Sequence, residues 1–157
     1  MKFAVVSDTH DNLFAVKDLV KELKKEKPEF IVHAGDVVAP FTLKEFFPLG
    51  VKIYIAFGNN DGEKRLLAEI ASQKGWEIGE IVEFPGGVVY HGTDRRILDI
   101  LCRTSYSFVV CGHTHEPEVK SLGNGRTLLN PGEVCGYLTG RRTYAICEDG
   151  DVSIIEF

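Results

Sequence analysis

The chain has 157 residues, 44% hydrophobic and 26% charged, with a formal net charge of −5 at pH 7. That length suits one domain with a substantial core, no run is long and apolar enough to cross a bilayer, and the acidic balance excludes a general grip on nucleic-acid backbone. The apolar start meets Asp8 too soon for a signal-peptide core, and Cys102, Cys111, Cys135 and Cys147 form no C-x-x-C pair, so a cytoplasmic protein with reduced, structural thiols is expected.

Lys2 to Val6 is a short apolar run ended by Ser7-Asp8, and it reads as a buried strand. Leu13, Val16, Leu19, Val20 and Leu23 then recur at helical steps, and Lys27-Pro28 closes that amphipathic helix. Phe30 to Ala34 and Val51 to Phe57 repeat the buried-strand form, each stopping at a glycine-containing polar cluster. Leu66, Leu67, Ile70 and Ala71 predict a second helix ending near Gly75. Pro85-Gly86-Gly87 joins Ile81–Phe84 to Val88–His91 as a hairpin, Ile97 to Leu101 predicts a third helix, and Phe108 to Cys111 a further strand. In the last third, Gly123-Asn124-Gly125 and Glu148-Asp149-Gly150 are hairpin turns between short alternating runs, so antiparallel strands should dominate there. The whole reads as one α/β unit with an antiparallel tail.

Chemistry-bearing residues fall just after these strands, where α/β sheets gather their ligands. Asp8 and His10 follow the first strand, Asp36 the second and Asn59 the third, while His91 ends a hairpin strand and His113 and His115 follow Phe108–Cys111. The D-x-H spacing of Asp8 and His10 puts both side chains on one side of an extended segment. Each cluster alone has a plain alternative, since Asp8, Asp36 and Asn59 are also common cap and turn residues. His113-Thr114-His115 has no apolar surface to fill, and together the clusters supply the mixed oxygen and nitrogen donors of a metal-assisted hydrolase. His33 is out of phase with Asp36 and reads as a satisfied core or supporting histidine.

The order D-x-H, G-D, G-N-x-D, a lone His and G-H-x-H, running from Asp8 to His115, resembles the calcineurin-like metallophosphoesterase superfamily. The short length, Asp8-Thr9-His10-Asp11-Asn12, Gly58-Asn59-Asn60-Asp61 and Asn130-Pro131-Gly132 are similar to its small YfcE/MJ0936-type phosphodiesterase branch, whose fold Vps29 shares. The resemblance implies an α/β fold of two packed mixed β-sheets flanked by helices (αββα), with residues 1–157 as a single metallophosphoesterase domain. It further implies that Asp8, His10 and His115 hold one metal, that Asn59, His91 and His113 hold another, and that Asp36 bridges them.

The implied cofactors are two divalent transition-metal ions, with Mn²⁺ first and Ni²⁺, Fe²⁺, Co²⁺ and Zn²⁺ also accommodated by these donors. At a spacing of about 3.5–4 Å they would bridge a hydroxide that attacks phosphorus in line. The partner is then a small phosphodiester, with a nucleotide among the candidates; no membrane or general nucleic-acid partner is expected, and a homo-oligomer is compatible with the sequence. One position departs from the pattern. Many superfamily members carry His at the site of Asn60, as an acid for the leaving oxygen, and without it a step commonly worth about 10²–10⁴-fold must be supplied elsewhere. Asn60 and Asn12 are expected instead to bind phosphoryl oxygens. Asp11 and Asp61 read as orienting or capping residues, and Arg95, Arg96 and Arg126 as surface residues. Phosphomonoesterase activity, or a non-catalytic Vps29-like scaffold, remain the alternatives.

Overall fold

The computed structural model describes all 157 residues, Met1–Phe157. In chain order the elements are β1 (Lys2–Val6), α1 (Leu13–Glu26), β2 (Phe30–His33), α2 (Pro40–Lys44), a 3₁₀ turn (Phe47–Leu49), β3 (Lys52–Ala56), α3 (Lys64–Lys74), β4 (Glu77–Gly79), β5 (Ile81–Phe84) and β6 (Gly87–Tyr90). There follow α4 (Arg95–Leu101), β7 (Phe108–Val110), β8 (Pro117–Gly123), β9 (Arg126–Pro131), β10 (Thr143–Glu148) and β11 (Asp151–Glu156).

The strands form a six-stranded sheet, β11-β10-β1-β2-β3-β4, and a five-stranded sheet, β5-β6-β7-β9-β8. In the first, β1 to β4 run parallel and β10 and β11 are antiparallel additions. In the second, β6, β7 and β9 run parallel, with β5 and β8 antiparallel at the edges. The tail is mainly antiparallel as expected, with β9 pairing parallel to β7 as the exception. β4 and α2 are additions that the hydrophobic pattern did not announce: β4 has only three residues and α2 five, too short to display a period.

Side-chain alternation assembles the layers. Phe3 and Val5 of β1 point between the sheets, where they meet Phe30, Val32, Tyr54, Phe84, Phe108 and Leu129. Phe3 stacks on Phe30 with ring centroids 4.9 Å apart and meets Phe108 edge-on at 5.3 Å. The alternate residues Ala4 and Val6 face outward under Leu19, Leu23, Leu67 and Ile70 of α1 and α3. α4 closes the outer face of the second sheet through Leu101 on Val88, Tyr90 and Val109. Two mixed sheets flanked by helices result, as the sequence led us to expect. Because β1, β2, β3, β6 and β7 are buried on both faces, their interiors are almost wholly apolar and the clusters of polar residues follow their carboxyl ends.

Candidate metal centre

The loops after β1, β2, β3, β6 and β7 bring all seven expected ligand residues together. Their backbone is unusual. Asp8, His10, Asp36, His113 and His115 all have positive φ, between 41° and 69°, a conformation costing roughly 1–3 kcal/mol each that survives only where the surroundings impose it. The extended D-x-H segment of the sequence reading is therefore corrected. Asp8 and His10 converge through left-handed turns held by Asp8 N–H on Gly35 O and His10 N–H on Asp36 O, both at 3.0 Å, and not through strand alternation. Glycines make the close approach feasible: a Cβ on Gly58 would overlap Asp36 Oδ1 and lie 2.8 Å from its Cγ, and one on Gly112 would lie 2.7 Å from Asp8 Oδ2.

The donor atoms form two sets. In the first, Asp8 Oδ1 lies 3.4 Å from His10 Nε2 and 3.3 Å from His115 Nε2, and His10 Nε2 lies 3.3 Å from Asp36 Oδ2. In the second, Asn59 Oδ1 lies 3.0 Å from His91 Nε2 and 3.1 Å from His113 Nδ1, with His91 Nε2 3.4 Å from Asp36 Oδ2. A cation with bonds of about 2.0–2.2 Å separates adjacent donors by about 2.8–3.1 Å in octahedral and about 3.3–3.6 Å in tetrahedral geometry, a range that covers these distances. Asp36 Oδ2 is the atom common to both sets. His113 and His115, two residues apart, separate between them.

Surrounding groups fix the orientation of these donors. His91 Nδ1 donates to Ala34 O at 2.7 Å, and His115 Nδ1 donates to Glu133 Oε2, so each ring turns Nε2 toward the oxygens of its set. Asp8 Oδ2 accepts from Ser7 Oγ at 2.6 Å and His113 N at 3.1 Å, which leaves Oδ1 for the site. Asp61 accepts from the backbone N–H of Asp36, Val38 and Gly58, and Asp11 from Ala39 N and Thr42 Oγ1, so both orient loops as anticipated. His33 is a satisfied core histidine, with Nδ1 accepting from Gly35 N at 3.1 Å and Nε2 3.3 Å from Thr9 Oγ1. Arg126 binds the carbonyls of Cys102, Thr104 and Leu122, a structural role away from the site.

Asn12 differs from expectation, and Asn60 makes contacts that the sequence did not announce. Asn12 caps α1, accepting from Ala15 N at 3.2 Å, and its Nδ2 donates to Cys135 O at 2.9 Å, so its amide joins two loops and is not held out for substrate. Asn60 donates through its backbone N to Asp36 Oδ1 and through Nδ2 to Asp36 Oδ2, both at 2.9 Å, so it positions the shared carboxylate. Sequence reasoning missed Glu133. It is fully buried and accepts from His115, Leu138 N, Thr139 N and Thr139 Oγ1, with the Cys135 thiol 3.3 Å away. Its only signal was adjacency to Asn130-Pro131-Gly132.

The electrostatics call for cations. Asp8, Asp36, Asp61 and Glu133 are all buried, and no lysine or arginine pairs with any of them. Uncompensated buried charge is costly, and the buried atoms Asp8 Oδ1 and His10 Nε2 lack hydrogen-bond partners altogether. The carboxylates of Asp36 and then Asp8 beside His10 raise its pKa to about 10, although neither approach has hydrogen-bond geometry. Burial opposes ionisation of Asp36, but His10, His91 and Asn60 outweigh it and hold its pKa well below the carboxylate range. Burial likewise opposes ionisation of Glu133, yet the bonds from His115 and Thr139 bring it to about 2. All four cysteines are free, and burial pushes the Cys135 thiol up to about 12, which keeps it protonated beside Glu133. Orphaned donors, converging lone pairs and unbalanced carboxylates all fit divalent cations.

The calcineurin-like phosphoesterase superfamily domain profile matches residues 1–150. Phosphodiesterase MJ0936 of Methanocaldococcus jannaschii is 34% identical over 159 aligned positions, covering 94% of this chain and 93% of that protein. The structure of an archaeal phosphodiesterase superposes with a TM-score of 0.92 at 32% identity over the full length of both chains. YfcE, a phosphoesterase from E. coli, shares the fold with a TM-score of 0.76 at 21% identity, covering 99% of this chain and 92% of its own. The chain belongs to the calcineurin-like phosphoesterase superfamily, and within it is a metal-dependent phosphoesterase.

Proposed function

We propose that this protein hydrolyses small phosphodiesters using two divalent cations, one held by Asp8, His10 and His115 and the other by Asn59, His91 and His113, with Asp36 shared. The observation that carries this reading is Asp36 Oδ2, which lies within 3.4 Å of an imidazole nitrogen in each donor set. When bound, such a pair activates water at neutral pH and offsets charge developing on the phosphoryl oxygens. Manganese is our first assignment, since mixed O/N donors admit several transition metals.

The chain's own residues hold and shape the substrate position. Asn60 fixes Asp36 through two hydrogen bonds, and the exposed remainder of its amide is available to a phosphoryl oxygen. It offers no titratable proton, so turnover should favour esters whose leaving group departs without protonation. Residues 7–14, 34–42, 57–62, 91–93, 112–116 and 130–140 contain no Lys or Arg, and Arg141 and Arg142, which end the β9–β10 loop, are paired with Glu156 and Asp18. A monoester dianion would therefore find no free side-chain cation there, which favours the singly charged diester, with nucleotide diesters among the candidates. We place the protein in the cytoplasm, where its four free thiols stay reduced. No helix is long and apolar enough to cross a membrane.

The test is hydrolysis of an activated aryl phosphodiester and its monoester by metal-stripped protein refilled with Mn²⁺, Ni²⁺ or Zn²⁺, with Asp36→Ala as control. Diester cleavage should return with metal and vanish in the variant. Absence of metal-dependent turnover on either ester would overturn the reading and point to the fold as a binding scaffold.

A further inference from the structure

Nine large hydrophobic residues are exposed, and four of them, Phe14 at 85%, Phe41 at 54%, Tyr137 at 61% and Leu138 at 73%, sit on the loops and helix starts that carry the candidate site. Scattered surface hydrophobics are ordinary, but four on the segments that carry a single site are not. Their positions in the chain, and hydrogen bonds made by Leu138 and by residues flanking the other three, place these four beside the site. Phe14 lies in the first turn of α1, two residues beyond Asn12, and helical Cβ atoms lean toward the helix N-terminus, here the site side. The Asn12 amide holds Cys135 O, two residues before Tyr137, and Leu138 N donates to Glu133, which in turn orients His115. On the other side of His10, Asp11 accepts from Ala39 N and Thr42 Oγ1, which brackets Phe41.

In the same loops the only Lys or Arg are Arg141 and Arg142, paired with Glu156 and Asp18, so no free side-chain cation there suits a second phosphate or a polyanionic backbone. A diester phosphorus at the donor sets must extend its ester groups across this surface. We infer that Phe14, Phe41, Tyr137 and Leu138 form a subsite for an aromatic or apolar ester group of the substrate, an inference that rests on the phosphodiesterase reading above. Flat, apolar ester groups are retained on the aromatic side chains, while small aliphatic esters have little to cover. These side chains are specificity determinants and take no part in bond cleavage.

The experiment compares diphenyl phosphate with dimethyl phosphate by equilibrium binding to zinc-loaded protein. It also compares hydrolysis of bis(4-nitrophenyl) phosphate with that of methyl 4-nitrophenyl phosphate, which have the same leaving group. We expect the aromatic member of each pair to be preferred by at least about tenfold, the order of discrimination an apolar pocket supplies. In Phe14→Ala/Tyr137→Ala/Leu138→Ala that preference should collapse, through Kd and KM and not through kcat. These side chains are already exposed, so circular dichroism and zinc stoichiometry should match the parent. An unchanged preference would overturn the inference, as would loss of kcat on both esters alike. Concentration-dependent dimerisation abolished by the same substitutions, with ester preference intact, would assign the patch to a second copy of the chain. Because the binding arm needs no turnover, failure of the phosphodiesterase reading would show separately, as absent hydrolysis of both nitrophenyl esters by the parent protein.

Discussion

Glu133→Gln exchanges one oxygen of a buried carboxylate for an NH₂ group and isolates what the charge does. Oε1 accepts from Leu138 N at 3.0 Å, Thr139 N at 2.7 Å and Thr139 Oγ1 at 2.8 Å, three donors that a Gln carbonyl oxygen serves equally well. The amide nitrogen then falls where Oε2 meets His115 Nδ1. Donor faces donor, and the ring can relieve this only by moving its hydrogen to Nε2, the nitrogen 3.3 Å from Asp8 Oδ1 where the first cation is proposed to bind. The fold keeps its loop while the proposed ligand loses its lone pair. Loss of such a supporting partner typically weakens metal binding by about 10–100-fold, or about 1.4–2.7 kcal/mol. Calorimetric titration of zinc into metal-stripped protein measures the affinity, and long-range ¹H–¹⁵N correlation reports the His115 tautomer. Parental zinc affinity together with an unaltered Nδ1–H tautomer would refute the assigned role of Glu133.

Burial lowers the His33 pKa to about 4, against about 6.5 in an unfolded chain. The unfolded state therefore binds the extra proton between those values. Stability attributable to keeping His33 neutral is complete above pH 6.5, falls as the pH drops, and is lost by about pH 4, amounting to about 3 kcal/mol. Urea denaturation of metal-free protein over this range should show a steeper acid loss for the parent than for His33→Gln, and parallel profiles would contradict it. Asn60→His should raise hydrolysis of poor-leaving-group diesters by supplying an acid, while sacrificing the Nδ2 bond to Asp36; steady-state kinetics showing no gain on any such ester would count against a missing acid at this position. Gly58→Ala places a methyl on Asp36 Oδ1 and should lower metal affinity at least about tenfold by turning that carboxylate, and unchanged zinc binding would show that the loop yields.

The sequence by itself determined the identity and order of the candidate donor residues and most of the elements that carry them. Apolar runs such as Lys2–Val6 and the helical recurrence from Leu13 to Leu23 are local patterns set by burial, and each loop between them began with its polar residues in plain view. Only the tertiary structure decided how those residues are used. Glu133 is 18 residues from His115 and Asn12 is 123 residues from Cys135, separations across which no period or spacing points from one partner to the other. The left-handed φ of Asp8 and Asp36 is likewise imposed by hydrogen bonds and glycine contacts from other loops, since an isolated L-residue disfavours it. Local chemistry selects the candidate ligands; the packing of two sheets sets which nitrogen of His91 and of His115 faces the proposed metal position.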